Sequence, residues 1–185
     1  MTKMSKKANG KSEKASKNNN SSSSGGGGGG GGEVVVVYPE RKPLPKRDSS
    51  TGELLFQDFP KFRPNMTPKE VLQAGAFGGT YFRPIGSAVT KKTYGDEVWK
   101  ELPADWLDGL DVRKQVASPV YDADVNKWRV KCGNELSEWE QKGWITPIDP
   151  YGWFQWYCRF YLGRRSSDDG RQVSRGLGVM VSSTN

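Results

Sequence analysis

The chain contains no histidine among its 185 residues. This absence excludes Ser–His and Cys–His nucleophilic catalysis, acid–base chemistry by imidazole, and the zinc sites in which histidine is a ligand. Cysteine is scarce, and Cys132 and Cys158 could form at most one disulfide. They supply neither a zinc quartet nor a Cys-x-x-Cys redox pair. We therefore expect two buried core thiols, a reducing compartment, and no metal or cofactor.

Long hydrophobic runs are also missing. Hydrophobic residues make up 34% of the chain, whereas about 45–50% is usual for a globular domain. The one early apolar run, Val34–Tyr38, is too short to span a bilayer, and the N-terminal lysines precede no apolar signal segment. The sequence thus predicts an intracellular protein, nuclear or cytoplasmic, without a membrane partner. Lys6-Lys7 and the stretch 40–47 could serve as nuclear-import signals or as part of a solubilising tail.

The N-terminal region differs in composition from the rest. Residues 1–32 contain no Val, Ile, Leu, Phe, Tyr or Trp, and they end in four serines and eight glycines. Such a segment buries too little apolar surface to offset the entropy of ordering its backbone. Residues 1–47 carry ten Lys and Arg against three Glu, so the whole net charge of +7 lies there and residues 48–185 are neutral. We predict a disordered basic tail and linker over 1–47, one globular domain over 48–175, and a frayed or truncated C-terminus over 176–185.

Several short helices are predicted inside the domain. Thr67 and Glu70 form a capping box around Pro68, and Gly75 ends the helix that they begin. Residues 151–161 contain seven aromatic residues, several of them on one helical stripe, and Gly163 follows. Two further short helices are expected, one starting near Pro103 and ending at Gly109, the other capped by Asn134 or Ser137 and closed by Gly143.

Strand patterns are weaker. A glycine-rich loop over 75–80 leads into a short apolar segment over 81–85, which predicts a strand. Residues 126–132 alternate, with Lys127, Arg129 and Lys131 on one face and apolar residues on the other, so we predict a hairpin over 119–132. The fold class expected is α+β, with short helices packed around a small antiparallel sheet and an aromatic-rich core.

Five long phrases occur in order along the domain: FRPNMTPKEVLQAGAFGGTYFRPI (62–85), LPADWLDGLD (102–111), VYDADVNKWRVKCG (120–133), ELSEWEQKGWI (135–145) and DPYGWFQWYCRFYLGRRSSDDGRQVSR (149–175). Together they resemble a eukaryotic protein family of fungi and algae whose function is unknown, over about residues 53–175. The resemblance implies no activity, cofactor or partner. Its members have an acidic residue in place of Gly170 and a tryptophan after the equivalent of Arg175, followed by a further helical segment, from which this chain departs.

Three motifs suggest chemistry but have structural explanations. Gly75, Gly78 and Gly79 could cradle a phosphate, yet they follow a helix rather than precede one, so tight packing against aromatic rings is the expected alternative. Asp168 and Asp169 could act as acid and base or bind a metal, and they equally suit the first turn of a helix. Residues 122–126 imitate a calcium loop, but the required glycine and bidentate glutamate are absent, and we reject that function.

The strongest functional hypothesis concerns cations beside aromatic residues. Two groups are candidates for contact with nucleic acid: Arg159, Arg164, Arg165, Arg171 and Arg175 near the C-terminus, and Lys127, Arg129 and Lys131 in the predicted hairpin. The alternative is that the arginines form salt bridges with carboxylates such as Asp168 and Asp169. The sequence favours a non-enzymatic nucleic-acid-associated module. The alternatives are a protein-interaction domain that binds an acidic protein through Trp and Arg anchors and, third, a carboxylate-based enzyme.

Overall fold

The aromatic segment near residue 155 forms the central helix of the fold. A computed structural model describes residues 34–131 and 135–182. Helix α4 (Trp153–Tyr161) buries one continuous face, on which Trp156, Tyr157 and Phe160 are each at most 2% exposed. The ring of Phe62, contributed by a distant loop, contacts Trp156, Tyr157 and Phe160 at centroid separations of 5.8–5.9 Å. The predicted aromatic core is therefore confirmed.

Short elements surround this helix, as expected for an α+β fold. Three separate two-stranded antiparallel sheets replace the single small sheet, in the pairings β1–β6, β2–β3 and β4–β5. Most of the core lies between the helices and loops rather than on a sheet face. The elements are β1 (Val37–Tyr38), β2 (Lys46–Arg47), β3 (Leu54–Leu55), α1 (Pro68–Gln73), β4 (Ile85–Ser87), β5 (Lys92–Tyr94), 3-10 helices over Val98–Glu101 and Ala104–Leu107, α2 (Val112–Gln115), α3 (Leu136–Gln141), α4, β6 (Arg165–Ser166) and α5 (Asp169–Ser182).

Local sequence rules account for the helix ends. The Thr67 hydroxyl accepts a hydrogen bond from the Glu70 N–H at 3.1 Å, and the Glu70 carboxylate accepts one from the Thr67 N–H at 2.7 Å, which confirms the capping box. Helix α3 begins after Glu135, whose side chain makes no capping hydrogen bond. Ser137 lies inside this helix, so it is not the cap. The other predicted cap, Asn134, lies outside the described residues.

Residues 34–47, which the sequence assigns to a linker, belong to the folded unit that begins at Val34. The Val36 carbonyl accepts a hydrogen bond from the Ser167 N–H at 2.8 Å, and the Val36 N–H donates to the Ser167 hydroxyl. Farther along, the Arg47 guanidinium donates to both carboxylate oxygens of Glu70 at 2.8–2.9 Å. Prolines keep the strands short, but the backbone of this segment forms hydrogen bonds with residues more than a hundred positions away in the sequence. The predicted disordered segment before Val34 lies outside the described residues.

Within the described residues, helix α5 continues through Gly176. Gly176 is buried, and a Cβ at this position would lie 2.9 Å from Trp153 Cζ2 and 3.1 Å from Phe62 Cε2. The glycine is therefore needed for close approach between α5 and α4, and neighbouring aromatic packing outweighs its low helix propensity.

The predicted hairpin over 119–132 is wrong, because residues 119–131 form turns and no strand. The cause is Asn126, which is 2% exposed. Its Nδ2 donates to the Val130 carbonyl at 2.8 Å and its Oδ1 accepts from the Trp128 N–H at 2.9 Å. An asparagine that satisfies nearby backbone groups in this way competes with strand pairing. Lys127, Arg129 and Lys131 consequently do not form one face of a strand.

Candidate nucleic-acid interface

The arginines at the end of α4 face inward. The Asp149 carboxylate, 1% exposed, accepts hydrogen bonds from the Arg164 guanidinium at 2.5 and 2.8 Å and from Arg159 Nη1 at 3.0 Å. Arg159 also forms a two-point contact with Glu101 at 2.8 and 3.0 Å and donates to the Ile148 carbonyl. Both guanidinium groups are thus committed to carboxylates within the fold.

Arg165 is held in the same way by a carboxylate distant in sequence. Its side chain is 6% exposed and donates to both oxygens of Asp58, at 2.6 and 3.0 Å. The guanidinium lies over the Phe160 ring at 3.8 Å. This hydrogen bond from Arg165 is the main reason that the pKa of Asp58 is lowered. A group so enclosed is not available to an external phosphate.

The predicted acidic pair serves structure as well. Asp168 accepts hydrogen bonds from Arg171 and from the Gln172 side chain. Asp169 accepts from the indole Nε1 of Trp156 at 2.9 Å and from the Ser166 N–H at 2.8 Å. Burial raises the pKa of Asp169. The two carboxylates therefore have different partners and tie the start of α5 to its neighbours.

The second group of cations has a different environment. Residues 126–131, here called the basic–aromatic loop, present Trp128 at 48% exposure together with three exposed cations, Lys127, Arg129 and Lys131. Lys127 Nζ lies 6.0 Å from the centre of the Trp128 ring. The buried amide of Asn126 fixes the loop from below through the contacts described above. The exposed indole thus has one cation 6.0 Å away and two further exposed cations on the same loop.

Nearby charges moderate this surface. The Arg129 side chain is 76% exposed and lies 3.8 Å from the Asp124 carboxylate, which is 85% exposed. Such a pair between exposed groups contributes little energy, so Arg129 remains able to exchange partners. The Asp122 carboxylate is used locally, accepting from the Asp124 N–H at 2.9 Å. Lys127 and Lys131 form no salt bridge with a described carboxylate.

A cleft of about 420 Å³ adjoins the loop, and we call it the aromatic cleft. Lys131 belongs to both features, and its Nζ lies 5.9 Å from the centre of the ring of Tyr121, which also lines the cleft. Among the described residues, twelve line the cleft, of which five are aromatic, two are cations and one is a carboxylate: Phe77, Thr80, Tyr81, Arg83, Ile85, Pro119, Tyr121, Lys131, Glu135, Leu136, Trp139 and Tyr151.

Hydrogen bonds make the base of this cleft rigid. The Tyr81 hydroxyl donates to the Tyr151 carbonyl at 2.7 Å and accepts from the Gln155 N–H at 3.0 Å. The Tyr151 hydroxyl donates to the Arg83 carbonyl at 2.8 Å. Burial raises the pKa of Tyr81 and, with the charge of Glu97, raises the pKa of Tyr151 to about 12. Both phenols are therefore neutral hydrogen-bond donors at physiological pH.

The glycine-rich loop packs against the protein instead of cradling a phosphate. Its three glycines have positive φ angles, and a Cβ on Gly75, Gly78 or Gly79 would lie 2.0–2.2 Å from other protein atoms. For Gly78 the obstacle is the Tyr121 ring, so this loop positions one wall of the aromatic cleft. Packing against an aromatic ring is therefore confirmed for Gly78, whereas Gly75 and Gly79 pack against the backbone carbonyls of Val125 and Lys114.

The structure also places the potential metal ligands and one of the two thiols. Across residues 34–131 and 135–182 there is no cluster of three or more potential metal-ligating side chains. Cys158 is a free, 1% exposed thiol in α4, and burial raises its pKa, which opposes nucleophilic reactivity. The predicted core position of Cys158 is confirmed, whereas Cys132 lies outside the described residues.

Comparisons of the chain with known protein families, curated proteins and solved structures give no match. Within the described residues, none of the helices combines the length and apolar character required to cross a membrane. The interface must therefore be evaluated from its own geometry.

Sequence reasoning identified the loop cations but missed the cleft beside them. The sequence predicts a strand that includes Arg83 and a helix that includes Trp139, but nothing local shows that the two residues share a cavity with Tyr121. The available signal was the cluster of aromatic residues within 77–85, which is denser than one short strand needs for its own packing.

Proposed function

We propose that the protein is a non-enzymatic module that binds single-stranded nucleic acid through the basic–aromatic loop. The observation that carries this proposal is the exposure of Trp128 among three exposed cations. Aromatic side chains stack on unpaired bases, and neighbouring cations contact the phosphate backbone. Single strands suit the loop better than duplexes, because the face of an exposed indole pairs with the face of an accessible base.

The role of the C-terminal arginines changes in this proposal. Arg159, Arg164 and Arg165 donate to Glu101, Asp149 and Asp58, and this internal pairing supports a structural role for them. The loop cations then supply local contact. The six lysines of residues 1–33 add sequence-independent attraction, which weakens as salt concentration rises.

A protein partner is the second candidate function. Val120 and Val130, 70% and 65% exposed, lie on either side of Trp128 in the sequence. Exposed aliphatic side chains contribute little to nucleic-acid binding, whereas tryptophan beside apolar residues is typical of protein-interaction hot spots. The same surface would then bind an acidic protein, with Trp128 as its anchor.

The test is the binding of the full-length protein to labelled single-stranded DNA and RNA, measured by fluorescence anisotropy. Loss of one stacked base costs about 1–3 kcal/mol, so Trp128→Ala should weaken binding by about 5- to 150-fold. Lys127→Ala with Lys131→Ala should also weaken it. Lys91→Ala with Lys92→Ala is the matched control, since these exposed lysines carry the same charge on the β4–β5 hairpin.

A second variant separates the loop from the N-terminal lysines. Replacing Lys3, Lys6, Lys7, Lys11, Lys14 and Lys17 by serine removes their charge and should flatten the salt dependence. Binding that remains should still respond to Trp128→Ala. If Trp128→Ala has no effect in either background, the loop is not the nucleic-acid site. The protein-partner function would then be favoured.

A further inference from the structure

Two arginines near the aromatic cleft lack the carboxylate partners that the other enclosed arginines have. Arg83 and Arg175 are both partly buried, yet among the described residues neither lies within salt-bridge distance of a carboxylate. Arg83 donates only to the Thr80 carbonyl, at 3.2 Å, and Arg175 donates to the Trp144 carbonyl, also at 3.2 Å. A partly buried guanidinium without an anion has unused capacity for charge-assisted hydrogen bonds.

Both of these arginines line cavities that have aromatic side chains in common. Arg83 lines the aromatic cleft, and Arg175 lines a smaller adjoining cavity of about 100 Å³. The two cavities share the side chains of Phe77, Tyr81 and Trp139. Flat apolar ligands fit between aromatic walls of this kind, and the volume of the cleft falls within the range of about 300–1,000 Å³ that is usual for small-molecule sites.

The polar groups restrict the ligand class further. Arg83 and Lys131 provide positive charge for an anionic group, and Lys131 lies at the side next to Tyr121. Among the described residues, Glu135 is the one carboxylate that lines the cleft, and it can accept hydrogen bonds from an amino or hydroxyl group. A ligand that satisfies all three features has an aromatic ring, hydrogen-bond donors and an anionic group.

We propose that the aromatic cleft binds one nucleotide, with the base between the aromatic walls and a terminal phosphate on Arg83. The shared chemistry is a nucleobase joined to a phosphate monoester, which could come from a free mononucleotide or from the 5′-phosphorylated end of a strand. This site goes beyond strand binding by the loop, because it requires neither Trp128 nor the N-terminal lysines.

The experiment is calorimetric titration of the full-length protein with AMP, with adenosine and inorganic phosphate as partial ligands. We expect saturable binding of one AMP per chain, and at least about tenfold weaker binding of either partial ligand. Arg83→Gln should weaken AMP binding about tenfold or more and leave adenosine binding nearly unchanged. Arg113→Gln is the matched control, because Arg113 is exposed on α2 and its side chain forms no ion pair within the described residues.

Further measurements distinguish a free mononucleotide from a strand end as the ligand and control for misfolding of the variant. Arg83→Lys is the second variant, to be used if Arg83→Gln is unstable. It preserves the charge and should retain part of the affinity for AMP. Competition by a 5′-phosphorylated oligonucleotide, but not by its 5′-hydroxyl form, would assign the site to strand ends, and absence of competition would assign it to free nucleotides. Absence of saturable AMP binding, or equal binding of AMP and adenosine, overturns the proposal. Trp128→Ala should leave AMP binding intact, so failure of the loop proposal would be seen separately.

Discussion

Replacement of Asp149 by asparagine should destabilise the fold strongly. Asp149 is 1% exposed and accepts three hydrogen bonds from Arg159 and Arg164. An asparagine keeps the size of the side chain but removes its charge and turns one acceptor into a donor that faces a guanidinium. Arg164, whose side chain is 9% exposed, would then be a buried charge without a counter-ion.

The expected magnitude follows from this geometry. Breaking a buried ion pair by removing one partner costs about 3–5 kcal/mol. For a domain of this size, each kcal/mol lowers the melting temperature by about 2–4 °C, so a decrease of about 6–20 °C is expected. Asp105→Asn is the control, because its partner Lys69 and its own side chain are 37% and 61% exposed. Such a surface pair contributes about 0–1 kcal/mol.

The assay is urea unfolding at neutral pH, monitored by tryptophan fluorescence and by far-ultraviolet circular dichroism. If Asp149→Asn loses no more stability than Asp105→Asn, then Arg159 and Arg164 are not held by this carboxylate. In that case Arg164 would be free to bind an external anion and its structural role would be refuted, whereas Arg159 would still be paired with Glu101.

Three further predictions follow from contacts described above. Gly176→Ala should cost about 1–3 kcal/mol of stability, because its Cβ would meet Trp153 at 2.9 Å. A Cβ at Gly170 meets nothing within 4 Å, so Gly170→Ala should stabilise α5 by about 0.5–1 kcal/mol. Thermal unfolding should therefore show changes of opposite sign for the two variants. Asn126→Ala should cost about 1–3 kcal/mol and also weaken oligonucleotide binding, since it releases Trp128; unchanged stability by urea titration would contradict this role. The pKa of Asp58 is lowered in the folded state, so its contribution to stability should be complete above the unfolded pKa of about 3.9 and should be lost as pH falls through the folded pKa. The stabilities of Asp58→Asn and of the unaltered protein should therefore converge in acid. A constant difference in stability from pH 7 to pH 2 would argue against the pair with Arg165.

The sequence predicts those features that depend on neighbours along the chain. The capping box of Thr67 and Glu70 is confirmed, because its two hydrogen bonds span only three residues. The aromatic helix is also confirmed, because its buried stripe repeats with helical periodicity and its end is marked by Gly163, which has a positive φ of 100°. Local propensity and patterning are sufficient for these elements.

Features that depend on distant partners were not predictable. Arg165 meets Asp58 across 107 positions, and Val36 meets Ser167 across 131. Nothing in the local sequence distinguishes an arginine destined for such a pair from one that is exposed to solvent. The same limit explains the hairpin over 119–132, where alternation favoured a strand but the buried amide of Asn126 selects turns.

Photo-crosslinking tests the central claim most directly. The full-length protein is irradiated with single-stranded RNA that contains 4-thiouridine, and the modified residues are mapped by mass spectrometry. If the basic–aromatic loop is the interface, adducts should occur at Trp128 or within residues 126–131, and they should disappear from these residues when an unlabelled strand competes. Adducts confined to residues 159–175, or to the lysines of residues 1–33, would contradict the proposal.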